Sequence, residues 1–275
     1  MMRRLTTVAD LLAWRQVEGP CVLVPTMGGL HAGHLSLIRI AQQYSLPVIA
    51  SIFVNPLQFG IHDDFDRYPR TYEADCLALE RVGCDAVFAP SQREMYPGPQ
   101  TVFVEPPANL CMVLEGAFRP GFFRGVCTVV SKLFHLVQPS VAVFGKKDYQ
   151  QWRVIEAMVK ELMMPISIVG GDTVREPDGL AMSSRNTFLS VNDRRRASEL
   201  PRLLKEVIAE IHRSPAHGMH ACQSAEQQLT ARGWAVDYIV TRDRLSLDEA
   251  GLGQPAVLLA AARLGSTRLI DSMEF

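Results

Sequence analysis

The sequence predicts an α/β protein, a parallel sheet covered by helices on both faces and followed by a smaller α+β C-terminal domain. Three observations carry this reading. Short β-branched runs alternate with helical patterns through the first half of the chain. Those runs are continuously apolar rather than alternating, as strands buried on both faces must be. Past about residue 175 the texture turns to polar amphipathic helices and then three strand-like runs. The expected domains are therefore 1–174 and 175–275.

Taken in order, "CVLVPT" reads as a buried strand, and "GHLSLIRIAQQY" as a helix with Leu35, Ile38 and Ala41 on one face. "PVIASIFV" is a second strand. "TYEADCLALERVG" is a helix with Thr71 as N-cap, acids in its first turn and Gly83 as its stop. "DAVFAPS" is a third strand. After a Pro-rich stretch, "GVCTVVSKLFHLV" reads as a helix, "VAVFG" as a strand, "YQQWRVIEAMVKELMM" as a strong helix and "ISIVGG" as the closing strand. In the second domain, "NDRRRASELPRLLKEVIAEIHRS" is a helix interrupted by Pro201, and "MHACQSAEQQLTARG" is another. "AVDYIVTR", "AVLLAAARLG" and "TRLIDSMEF" are strands.

Composition narrows the function. The 275 residues are 48% hydrophobic and 21% charged, which suits a globular protein with a real core. The formal net charge of −1 gives no basic excess for a nucleic-acid partner. The six cysteines form no C-x-x-C pair and sit mostly among apolar neighbours, so buried, reduced thiols in the cytoplasm are expected. The start "MMRRLTTVADLLAW" is charged, Asp10 interrupts its apolar residues, and no signal-like apolar region appears. No run is long enough to span a membrane.

Chemistry concentrates beyond strand ends, where ligands bind in parallel sheets. "PTMGGLHAGH" lies between the first strand and its helix. A helix N-terminus presents backbone N–H groups there, and Gly28, Gly29 and Gly33 let a ligand reach the main chain. His31 and His34 can donate to phosphate oxygens and to charge that develops on them. Two plainer readings remain open on these residues alone. One is a glycine-rich turn with incidental histidines, the other a metal pair, although no third ligand occurs at helical spacing.

"FVNPLQF" sets Asn55 and Gln58 past the second strand, where carboxamides suit a hydroxy acid or bond to their own turn. "FGKKDYQQ" brings Lys147 as a cation for phosphate beside Lys146, while Asp148 and Gln151 also match a helix capping box. "GLAMSSRN" supplies Ser183, Ser184 and Arg185, two hydroxyls and a guanidinium. Arg194 to Arg196 read as a solvated helix face. Walker, dinucleotide-binding and nucleophile-elbow motifs are all missing.

In this order, "PTMGGLHAGH", "FVNPLQF", "FGKKDYQQ" and "DGLAMSSRN", with "AARLGSTRLID" near the end, resemble the pantothenate synthetase (pantoate–β-alanine ligase) family over nearly the whole chain. That family lies in the nucleotidyltransferase superfamily, whose H-x-G-H and K-M-S-K-S-like signatures are shared with class I aminoacyl-tRNA synthetases. The resemblance implies a Rossmann-like domain followed by a small mobile one. It implies ATP-dependent condensation of pantoate with β-alanine through an acyl adenylate, releasing AMP and pyrophosphate. It further implies a homodimer, and Mg²⁺ carried with ATP.

By motif, Met27, Gly28, Gly29, Leu30, His31, Ala32, Gly33 and His34 would line the ATP site, with His34 the catalytic histidine. Gly145, Lys146, Lys147, Asp148, Val174, Met182, Ser183, Ser184 and Arg185 would complete it. His31 and Lys147 would join His34 in stabilising phosphate charge. Gln58, Gln151 and Asn55 would hold pantoate, with Gln58 also near β-alanine. Two positions depart from the family pattern: Lys146 stands where Glu is usual, and Phe122 where His is usual. Rival readings are another nucleotidyltransferase, or a nucleotide-sensing protein without catalysis. Asn55, Gln58 and Gln151 weigh against the first, the intact histidines and Lys147 against the second.

Overall fold

The computed structural model describes residues 1–60 and 64–275, which separate into two compact units. The first comprises residues 1–145 and 151–171, and the second 146–150 and 172–275. The short strip 146–150 thus groups with chain more than twenty residues further on, although both its covalent neighbours belong to the first unit.

The first unit is built on six parallel strands: β1 (Arg3–Leu5), β2 (Val22–Thr26), β3 (Val48–Ile52), β4 (Ala86–Phe88), β5 (Val141–Gly145) and β6 (Ser167–Gly171). Their order in the sheet is β1-β4-β3-β2-β5-β6. The chain builds outward from β2 on one side and then returns to add β5 and β6 on the other. The order therefore reverses beside β2, which puts the crevice for a ligand at the carboxyl ends of β2 and β5. Helices α1 (Val8–Glu18), α2 (Ala32–Gln42), α3 (Tyr72–Arg81), α4 (Gln92–Met95), α5 (Ala108–Cys111), α6 (Glu115–Phe118), α7 (Phe122–Val137) and α8 (Tyr149–Glu161) accompany it. One core cluster joins Val22, Val24, Val48, Ala50, Val87 and Val143 of the strands to Leu37, Ile38 and Ala41 of α2. The buried face of α2 is set by Leu37 rather than Leu35, which packs at its margin.

β1 and α1 have no counterpart among the elements expected from the sequence. Asp10 does not interrupt α1 but starts it. The Thr7 hydroxyl accepts the Asp10 N–H at 3.1 Å and the Asp10 carboxylate accepts the Thr7 N–H at 3.2 Å. This reciprocal cap satisfies two helix-end donors, and a short acid does it as a glutamate would.

In the second unit α9 (Val191–Arg196), α10 (Glu199–Arg213) and α11 (Gly218–Ala231) precede an antiparallel sheet of β7 (Ala235–Asp243), β8 (Ala256–Leu264) and β9 (Thr267–Glu274), in that order. The helical break falls at residues 197–198 instead of at Pro201. That proline occupies the first turn of α10, where its missing N–H costs no intrahelical bond. Leu200, Leu203, Leu204 and Val207 of α10 pack with Ala225, Leu229, Leu258 and Ala260 into a core of its own. All six cysteines are free, and burial pushes the Cys84 and Cys127 thiols up to about 12. Among the described residues no helix is long and apolar enough to cross a membrane.

Candidate active site

β2 ends at Thr26, and the chain turns through Gly28 (φ 85°) and Gly29 (φ 63°) before α2 begins. Those left-handed angles suit glycine. His31 is the N-cap of α2. Its Nδ1 accepts the Gly33 N–H at 3.1 Å, while Nδ1 of His34 accepts the His31 N–H at 3.3 Å. Two imidazoles thus perform the reciprocal capping that Ser and Glu perform elsewhere. A ring nitrogen that accepts a backbone N–H carries no proton, so this pattern assigns each neutral imidazole its proton on Nε2. The rings lie side by side, centroids 4.1 Å apart.

Several of the backbone N–H groups around them are already paired within the protein. Gly28 N–H donates to Thr26 Oγ1 (3.2 Å), Gly29 N–H to Asp75 Oδ2 (3.0 Å) and Leu30 N–H to Asp75 Oδ1 (2.9 Å). His34 N–H donates to the His31 carbonyl at 2.9 Å. Each of these N–H groups already has a protein acceptor. The turn also carries side-chain donors, the imidazole Nε2–H groups.

Past β3, Asn55 and Gln58 are both buried. Asn55 Oδ1 accepts the Tyr96 hydroxyl (2.8 Å) and the Leu57 N–H (3.3 Å), and its Nδ2 donates to Gln58 Oε1 and the Gly125 carbonyl, both at 3.1 Å. All four hydrogen-bonding valences of Asn55 are thereby used within the protein. Asn55, expected beside a hydroxy acid, thus sits directly against Gln58, its partner in that expectation. Gln58 Nε2 also lies 3.1 Å from Met27 Sδ, tying this amide to the histidine turn. One donor hydrogen and one acceptor site of Gln58 are left for a substrate. Burial pushes the Tyr96 phenol up, so it stays a donor. Gln151 lies in the first turn of α8, half-buried.

Of the remaining expected residues, Gly145 ends β5 in the first unit and the others lie in the second. Lys146, Lys147 and Asp148 form a 3-10 turn before α8. Lys146 Nζ pairs with Glu274 (3.0 Å) and Asp172 (3.1 Å), and Glu274 also accepts the Tyr149 hydroxyl at 2.8 Å. The lysine that departs from the family pattern is thus engaged by two carboxylates. Val174 accepts the Met182 N–H (3.0 Å), and Ser183 caps the turn Ser184–Phe188 through the Arg185 N–H (3.3 Å). This loop is anchored by Arg175, whose two terminal nitrogens each sit 2.8 Å from the carboxylate of buried Asp271. Arg194 pairs with Asp178 at 2.5 Å and Arg196 donates to the Arg232 carbonyl, so these two are not the purely solvated face expected.

Burial disfavours both charges of the Lys146–Glu274 pair, but their mutual contacts, with Asp172 beside Lys146 and the Tyr149 hydroxyl on Glu274, outweigh it: Lys146 is raised and Glu274 lowered. A lowered carboxylate stabilises the fold above the ordinary carboxylate range and loses this as pH falls through its folded value. A raised lysine stabilises below the ordinary lysine range and loses this as pH rises through its folded value. Wild type should therefore exceed Lys146→Met in stability by a constant margin from about pH 5 to about pH 10. The margin should shrink on either side, as denaturant melts across pH would show.

Sequence reasoning missed Asp75, Tyr96, Asp271 and Glu274. Asp75 was visible only as one of the acids in the first turn of a helix, a common and usually solvated placement. Its signal would have been the pairing of two adjacent left-handed glycines with a buried acid, which local sequence does not show.

The family model for pantoate-beta-alanine ligase matches residues 2–274. A pantothenate synthetase of Thiobacillus denitrificans is 53% identical over 274 residues, covering 99% of this chain and 97% of that protein. The crystal structure of a pantothenate synthetase from Thermus thermophilus superposes with a TM-score of 0.92 at 43% identity, covering 99% of both chains. A pantoate-beta-alanine ligase from Francisella tularensis, solved in complex with beta-gamma ATP and β-alanine, superposes with a TM-score of 0.82 at 31% identity, covering 100% of this chain and 98% of that one.

Proposed function

This chain belongs to the pantoate–β-alanine ligase family, and we infer the work of its site from that premise. It is an ATP-dependent ligase that joins pantoate and β-alanine into pantothenate. A carboxylate is a poor acyl donor. We propose that pantoate's carboxylate oxygen attacks the α-phosphorus of ATP, pyrophosphate leaves, and the β-alanine amine then attacks the acyl carbon and expels AMP.

The observation that carries this reading is the paired imidazoles, each anchored through Nδ1, which assigns the proton of each neutral ring to Nε2. Donors fixed before the reaction stabilise charge that grows on phosphate oxygens without reorganising when it appears. His34 and His31 take this role, with Lys147 as the cation. Met27 through His34, with Gly145 through Asp148, Val174 and Met182 through Arg185, bind ATP. Gln58 and Gln151 bind pantoate, Gln58 serves β-alanine as well, and Asn55 acts through Gln58. The second unit serves as a lid that keeps water from the adenylate.

Mg²⁺ would enter with ATP and would neutralise part of the charge on its phosphates. Among the described residues no three His, Cys, Asp or Glu side chains gather to hold a metal. The homodimer and the cytoplasmic setting rest on the family resemblance.

The test tracks an oxygen atom. Pantoate labelled with ¹⁸O in its carboxylate should deliver one label to AMP per pantothenate formed, with no ADP. An acyl phosphate route would instead release ADP and put the label in inorganic phosphate, which would overturn the adenylate reading.

A further inference from the structure

The turn between β2 and α2 has the form of an anion nest, with consecutive N–H groups from a left-handed stretch converging on one point. That point is occupied by a residue of the chain itself. Asp75, in the first turn of α3 and 2% exposed, receives Gly29 N–H on one oxygen and Leu30 N–H on the other. The Thr71 hydroxyl donates to the same carboxylate, at 3.1 and 3.2 Å from its two oxygens. The approach is close: a Cβ at Gly28 would stand 3.0 Å from Asp75 Oδ2 and 3.1 Å from Ile52 Cγ2. Any side chain at Gly28 would have to displace the acid or Ile52.

We propose that Asp75 is a positioning residue for adenylyl transfer: by filling the nest it sets the turn that delivers His31 and His34 as a pair of Nε2–H donors. This inference deepens the reading given above and rests on it for the role of the histidines. The physical chain has three links. The carboxylate fixes the N–H vectors of Gly29 and Leu30. Those fix the extended backbone of His31 (φ −131°, ψ 176°), the N-cap conformation that lets each Nδ1 accept a backbone N–H. Loss of the Nδ1 anchors frees the rings to exchange tautomers and rotate. Asp75 also takes up the Gly29 and Leu30 N–H groups, so these two do not compete for a phosphate.

The test uses two variants and two readouts. Asp75→Asn keeps the shape but replaces one acceptor oxygen with a donor that faces an N–H. Thr71→Val only weakens the hold on the carboxylate, and it serves as the second variant should the first fail to fold. With ¹⁵N-labelled histidine and no substrate, wild type should show two imidazoles with a bare Nδ1 and a protonated Nε2. Both variants should move these two signals toward tautomer averaging. In AMP formation, Asp75→Asn should lower kcat about a hundredfold, the scale of a small displacement of catalytic groups, with KM for pantoate and ATP within about threefold. Thr71→Val should give an intermediate loss.

Folded variants that keep the wild-type imidazole signals, or that lose thermal stability alone with kcat within twofold, would overturn the proposal. The imidazole spectrum is read without turnover, so it decides the role of Asp75 even if the ¹⁸O experiment rejects the adenylate.

Discussion

His34→Ala is expected to slow formation of pantoyl adenylate by about a hundredfold or more, the usual loss when one fixed donor to a transition state is removed. The same substitution also removes the acceptor for the His31 N–H, so a stability loss of about 1 kcal/mol should accompany it. The two effects can be separated, because His34 sits at the third helical position of a capping box. Glutamine at that position can reach back to the N-cap N–H. His34→Gln should therefore melt close to wild type while remaining slow in single-turnover AMP release. Recovery of the rate along with the stability would mean that His34 serves the helix and not the reaction.

Gly125→Ala should have the next largest effect, on both stability and substrate. A Cβ there would lie 2.1 Å from the Leu57 carbonyl oxygen and 2.9 Å from the Gln58 nitrogen. The obstacle is backbone, so no side-chain rotation relieves it. Either α7 or the turn carrying Asn55 and Gln58 must move, at a cost of about 1–3 kcal/mol. The Gly125 carbonyl is also an acceptor for Asn55, so the displacement reaches Gln58 directly. KM for pantoate should rise about tenfold or more, as with Gln58→Ala, while KM for ATP changes much less. A destabilised variant with unchanged KM for pantoate would detach this turn from the substrate.

The elements that sequence revealed are those whose signal is local. Continuous apolar runs marked β2, β3, β5 and β6, and the mixed patterns of α7 and α8 were equally plain. β1 is only three residues long and bears two arginines, so nothing in it reads as a buried strand. Its place at the edge is set by pairing with β4, eighty residues away in sequence. The histidines, Gln58 and the Ser-Ser-Arg run were legible because their motifs are compact. Asp75, Tyr96 and Asp271 were not, because each acts on a partner about forty to one hundred residues distant in the chain. The partners of Asn55 were hidden in the same way: its residue type suits a ligand, and only the fold shows that Tyr96 and Gly125 also bond to it.

The five residues 146–150 have a consequence for dissecting this protein. The chain passes from one unit to the other at 145/146, back at 150/151, and across again at 171/172. A gene fragment beginning at residue 172 would thus encode β9 without the lysine and the tyrosine that hold Glu274. It would also omit the Lys146 carbonyl that accepts the Ser272 hydroxyl. No single cut yields both halves whole. Either half made alone would be missing pieces or carrying foreign ones, and a split-protein reporter or domain exchange would have to transplant the strip 146–150 together with the distal segment.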